Sequence, residues 1–88
     1  METNRISLSA AEYISRLINI FKKYNYNTSD LENIEYQHQT SMPFSAPEVR
    51  TMYNDRSKAK AYEYVCLNKK LFNDLFDKEL AEFFKKHT

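Results

Sequence analysis

No glycine occurs anywhere in the 88 residues of this chain, and that absence removes much of what a small protein can be. Phosphate-cradling loops, dinucleotide fingerprints and nucleophile elbows depend on glycine where backbone must approach a ligand or turn with positive φ. None of those sites can be built here in its usual form. Tight type I′ hairpins would fall to Asn or Asp alone, so the expectation moves away from β-rich folds and toward helices.

The stretch 9–24 is the helix that the pattern defines best. At about 100° per residue, Ala10, Tyr13, Ile14, Leu17, Ile18, Ile20, Phe21 and Tyr24 share one half of the helical wheel. Glu12, Ser15, Arg16, Asn19, Lys22 and Lys23 share the other. Ser9 and Glu12 have the spacing of a capping box, with Leu8 and Tyr13 as its hydrophobic staple. An apolar stripe of this width has to be covered, and the remainder of the chain must supply the cover.

Further helix signals follow. Asn25 stands where glycine would otherwise take the left-handed position after a helix. Ser29-Asp30-Leu31-Glu32 and Ser45-Ala46-Pro47-Glu48 repeat the capping-box pattern, the second with proline in the first turn and Phe44 and Val49 as staple. The segment 31–40 reads as a short helix carrying Leu31, Ile34 and His38 on one face. An extended segment is its alternative, because Ile34, Tyr36 and His38 also alternate with Glu35, Gln37 and Gln39. The two prolines make 42–47 a connection.

Beyond it, Val49, Met52 and Tyr53 begin one face, while Ala59, Tyr62, Val65 and Cys66 continue on another. A break in the 46–86 region is therefore expected near 54–57. Leu71, Phe72, Leu75 and Phe76 make the next stripe, and Leu80, Phe83 and Phe84 lie rotated from it by about 100°. Either Asp77 caps a fresh helix or the segment bends. Lys85, Lys86 and His87 suit the negative end of a helix dipole. Residues 1–7 read as a flexible arm and 8–88 as a single domain. The expected fold is all-α, a bundle of four to five helices with no sheet, in which the 9–24 helix packs against 71–84 and the 59–66 face.

Thirteen basic and twelve acidic residues leave a net charge of +1, which provides no strong field for polyanions or acidic membranes. A single cysteine, Cys66, rules out an internal disulfide and points to a reducing, cytoplasmic setting, the host cytoplasm if the chain is viral. With no Cys-x-x-Cys and only His38 and His87, no structural zinc framework is expected. Apolar runs are too short for a membrane span, and the N-terminus has no secretory core. Cys66 is expected in the core as a small hydrophobe, and His38 at a helix edge or in a loop. Catalytic residues, cofactor, metal and small-molecule substrate are accordingly not expected, and the chain reads as a non-enzyme.

The aromatic share points elsewhere. Seven Tyr and six Phe are more rings than a core this small needs, and displayed Tyr, Phe and Arg are what interface centres favour. Phe44 between the two prolines, Tyr53 with Arg50 and Arg56 nearby, and Tyr64 are the candidate partner-binding residues. The favoured reading is a small regulatory protein, an inhibitor or adaptor in a phage-like or mobile-element setting, that binds another protein or forms a homodimer. Its alternative is a helical nucleic-acid binder using the basic, Tyr-containing 50–70 segment, where Arg50, Arg56, Lys58, Lys60, Lys69 and Lys70 lie among Tyr53, Tyr62 and Tyr64. That alternative requires the cations to share one side of the helix.

Overall fold

A computed structural model describes residues 8–41 and 46–87. They form four helices, α1 (Ala10–Lys23), α2 (Ser29–Ser41), α3 (Pro47–Leu67) and α4 (Asp74–His87), with a short 3-10 turn at Lys69–Leu71 before the last. No strand occurs among the described residues. The arm 1–7 and the proposed staple at Phe44 lie outside them.

Local chemistry sets the ends of α1. Ser9 is extended at φ −63°, and its Oγ accepts from the Glu12 N–H at 3.3 Å. At the other end Asn25 takes φ +64°. Tyr26 N–H then reaches the Phe21 carbonyl at 2.9 Å and Asn25 N–H the Lys22 carbonyl at 3.0 Å, the paired bonds of a Schellman motif. The Tyr26 ring meets Phe21 edge-on at 6.4 Å, which supplies the apolar contact that accompanies such a stop.

Two expected caps move by one residue. Ser29 is already helical, and it is the Thr28 carbonyl that accepts the first bond of α2, from Glu32 N–H at 2.9 Å. The Thr28 hydroxyl donates to the Glu32 carboxylate. In α3 the cap is Ala46, which makes no side-chain cap bond, so Pro47 at the helix start carries that boundary. The segment 31–40 is helical throughout.

α1 is the element that the other helices cover. Ala10, Tyr13, Ile14, Leu17, Ile18 and Phe21 are buried, with Ile20 and Tyr24 at the edge of the core. Three of the six largest fully buried side chains, Ile14, Leu17 and Phe21, come from this one helix. α2, α3 and α4 all pack on it, and α2 also packs on α3. A large share of the cover therefore comes from α2 through Leu31 and Ile34, in addition to the two partners expected from the sequence. From α4 the cover is Phe76, Leu80 and Phe83. Phe76 sits among Phe21, Tyr24, Tyr26 and Phe72 at ring distances of 4.3 to 5.1 Å.

Polar bonds fasten the end of α1 to α4. Tyr24 Oη donates to Glu79 Oε1 at 2.8 Å, and Lys23 Nζ donates to the two Glu79 oxygens at 3.1 and 3.2 Å. The Tyr24 hydroxyl first and the Lys23 ammonium second draw the Glu79 carboxyl below its ordinary range.

The break in the second half lies elsewhere than expected. α3 runs without interruption through 54–57, and the chain turns at 68–73 instead. There Asn68 Nδ2 donates to the Tyr64 carbonyl at 2.8 Å. The cap of α4 is Asn73, not Asp77: its Oδ1 accepts from Phe76 N–H at 2.8 Å. Tyr26 ties this corner down, since its hydroxyl accepts from Asn73 N–H at 3.0 Å and reaches the Leu71 carbonyl at 3.5 Å. Beginning α4 at Asp74 turns Leu75 outward, and Leu71 and Leu75 are both 72% exposed, so half of the expected 71–76 stripe is not core.

The difference lies in the inward face of α3. Tyr53, Asn54, Ser57, Lys58, Ala61, Tyr64 and Val65 are its buried or half-buried positions, and Asn54, Ser57 and Lys58 among them give that face little apolar contrast. Ala10 N–H donates to Asn54 Oδ1 at 3.4 Å. His38, expected at an edge or in a loop, is only 5% exposed, with Nδ1 2.7 Å from Ser57 Oγ. Burial lowers its pKa below the ordinary imidazole value.

Two expectations follow. Leu17 is fully buried, and Leu17→Ala should cost about 2–5 kcal/mol, read from the shift of the urea unfolding midpoint. His38 has a folded pKa below its unfolded value of 6.5, so the unfolded chain binds the proton more readily. Its contribution to stability is complete above pH 6.5 and declines as pH falls from there toward the folded pKa. Urea midpoints across that window should drop in the wild-type chain and drop less in His38→Gln.

Candidate functional site

α3 and α4 both rest on α1, yet they touch each other little beyond their connecting turn. What lies between them is a groove of about 800 Å³. Its α3 wall is Asp55, Lys58, Ala59, Tyr62, Val65 and Cys66, and its α4 wall is Leu80, Ala81, Phe84, Lys85 and His87. Tyr13 of α1 is the floor. The fold measures 41 × 39 × 19 Å along its principal axes, and among the described residues no further helix covers this face.

The two walls meet at one point, where the Tyr62 ring stands edge-on to Phe84 with centroids 4.8 Å apart. Phe84 in turn lies 6.3 Å from Tyr13. Tyr62 is 46% exposed, which makes it the accessible ring of this set. Burial, then the neighbouring Tyr62 and Cys66, push the Tyr13 phenol up to about 12. The Tyr62 phenol is raised first by its bond to the Cys66 sulfur. Both phenols are therefore neutral at pH 7, and the bottom of the groove carries no charge.

Charged side chains stand at the two ends of the groove. Lys69 Nζ approaches Asp77 Oδ2 at 4.0 Å and closes the end nearest the turn. At the other end are the exposed Asp55 and Lys85 and the buried His87, with the half-buried Lys58 setting its Nζ 5.7 Å from the Tyr13 ring centroid. The arrangement is an apolar, aromatic trough with mixed charge at its margins.

The residues expected to bind a partner are dispersed. Phe44 lies outside the described residues. Arg50 is exposed on the first turns of α3. Tyr53 is half-buried, with the Arg56 guanidinium 5.4 Å over its ring, and both line a small cleft between α2 and α3 on the flank away from the groove. Tyr64 is not a displayed ring. It packs against the core 6.1 Å from Phe21, while Tyr62, assigned from sequence to the core face, is the one turned out.

Cys66 is likewise exposed rather than buried, because the helix face that includes Ala59, Tyr62 and Cys66 points to the groove. His38 contacts Ser57 on the other flank of α3, so thiol and imidazole do not converge. The described residues contain no group of three His, Cys, Asp or Glu that could hold a metal. None of their helices is long and apolar enough to cross a membrane. The basic residues of α3 divide between two flanks: Arg56 and Lys60 border the α2 cleft, and Lys58 borders the groove.

The groove residues could have been found from one signal. If Ser57, Ala61 and Val65 are taken as the inward line, Tyr62 and Cys66 are left as an i, i+4 pair beside it with nothing in the sequence assigned to cover them. No protein-family model, no curated protein and no solved structure matches the chain. What the groove can hold is therefore a matter of its own shape and chemistry.

Proposed function

We propose that this chain is a small non-enzymatic regulator, an inhibitor or adaptor, that acts by seating an amphipathic helix of a partner protein in the α3/α4 groove. The single observation that carries this reading is the aromatic trough itself, in which two helices share a floor and touch across it through the Tyr62 and Phe84 rings while packing little elsewhere. Along α3 the groove extends from Asp55 to Cys66, a rise of about 16 Å, which matches roughly three turns of a docked helix. Such a helix supplies the packing that α3 and α4 do not give each other, in the helix-in-groove manner.

Chemistry narrows the occupant. Tyr62 and the half-buried Phe84 offer ring surface for one or two aliphatic or aromatic anchors. At the rim Lys69 and Asp77 already neutralise one another, which leaves Lys58 and Lys85 against Asp55. A helix with acidic residues flanking its apolar stripe meets that margin best. Cys66 in the trough fits a reducing compartment such as the cytoplasm.

The division of cations between two flanks of α3 favours this reading over nucleic-acid binding. Ala81 is exposed on the groove wall, so Ala81→Trp fills the trough without entering the core. It should weaken partner binding by about tenfold or more with an unchanged melting curve. A thiol-reactive crosslinker on Cys66 should join the wild-type chain to a helical segment of the partner. Partner affinity indifferent to both Ala81→Trp and Phe84→Ser would overturn the assignment, as would tight DNA or RNA binding with a steep salt dependence. Sedimentation would reveal a second copy of this chain as the occupant, and that result too would contradict a foreign helix.

A further inference from the structure

On the opposite flank of α3 the cleft against α2 has a different character. It holds about 70 Å³, far below the roughly 300–1,000 Å³ of pockets that enclose drug-sized molecules. By the space one water needs, it accommodates only a few solvent-sized groups. Gln37 and Ser41 of α2 face Tyr53, Arg56 and Lys60 of α3 across it. His38 and Ser57, joined at 2.7 Å, line it as the buried pair. Ile34 is the one apolar side chain of the lining; each of the others carries a group able to donate a hydrogen bond, and no carboxylate is among them.

Two further observations point to an anion. Arg56 and Lys60 are four residues apart on α3, the spacing at which like charges repel, and among the described residues no carboxylate is paired with either. The Arg56 guanidinium carbon lies 5.4 Å from the Tyr53 ring centroid, within the range of a cation–π attraction, and that contact uses none of its N–H groups as hydrogen-bond donors. A guanidinium fork, a point charge four residues on, and hydroxyl and amide donors around a small space are what a tetrahedral oxyanion requires.

We propose that this cleft binds one phosphoryl group as its dianion, with Arg56 donating two bonds from its edge, Lys60 supplying charge and the Ser41 and Tyr53 hydroxyls completing the shell. The volume admits the phosphoryl group alone and leaves whatever bears it outside. Inorganic phosphate and a phosphomonoester on a side chain therefore share the same recognition chemistry. The site is independent of the groove, since the two lie on different flanks of α3 and have no lining residue in common.

Calorimetric titration of the full chain with inorganic phosphate, with a phosphoserine peptide and with its unphosphorylated counterpart tests this. Saturable binding at one site per chain is expected for the first two and not for the third, and tighter binding of the phosphopeptide than of phosphate identifies the source as a modified partner. Arg56→Gln should weaken binding about tenfold or more, as expected for loss of a charge-assisted pair, and Lys60→Gln by a smaller factor. Both side chains are exposed, so these variants should melt as the wild type does. Arg16→Gln on α1, where Arg16 pairs with Glu12, should bind unchanged. Absence of saturable phosphate and phosphopeptide binding would overturn the proposal. So would equal losses in Arg16→Gln and Arg56→Gln, or preference for single-stranded DNA that Lys58→Gln abolishes.

Discussion

The apolar face of α1 sets the terms for the whole molecule. Ile14, Leu17 and Phe21 are fully withdrawn from water, and burying each contributes roughly 1.5–3 kcal/mol. In a chain of 88 residues such terms are large against a net stability of about 5–15 kcal/mol. Three helices are drawn to one. α2 and α3 cover one side together, α4 takes the other, and the geometry that serves α1 leaves α3 and α4 with little packing against each other beyond the Tyr62–Phe84 contact. The groove is thus a consequence of how the core is covered.

Among the described turns, the absence of glycine is met by other side chains. Asn25 takes the left-handed position, as Asn does more readily than other non-glycine residues. Asn68 bonds back to the last turn of α3 and Asn73 caps α4. Tyr26 then uses ring and hydroxyl at once, stacking 4.3 Å from Phe76 and bonding to Asn73. Several of the abundant rings are therefore structural rivets, which is why counting aromatics overstates the surface available to partners. Tyr64 and Phe72 are further cases, packed against the core cluster.

α3 explains most of what the sequence conceals. Its inward line of Asn54, Ser57, Ala61 and Val65 is small and half polar, so it carries little hydrophobic contrast, and the more apolar Met52, Tyr62 and Leu67 lie outside. Small residues allow helices to approach closely. Their burial depends on a neighbour arriving, here α2 with His38 and α1 with its Ala10 amide. Cys66 and Tyr62 were assigned inward because they are apolar, and they face outward because Ala61 and Val65 already occupy the contact. Tyr53 reads from sequence as a partner of Arg50, whereas the fold sets Arg56 over its ring and surrounds both with a cleft that spacing does not reveal.

For 31–40 the pattern leaves helix and extended segment both open, and the structure decides for helix. Local periodicity and cap chemistry determined α1 from Ser9 to its Asn25 stop and the predominantly helical class of the fold. Each of these depends on residues within about one or two turns of one another, and such interactions are written directly in the order of the chain. Only the tertiary structure decided which side of α3 is inward, that Leu71 and Leu75 stay in water, and that a trough opens on one flank of α3 and a donor-lined cleft on the other. Those features depend on the relative placement of helices distant in sequence, where a serine or alanine against a neighbouring backbone can outweigh a tyrosine or leucine that has nothing to meet.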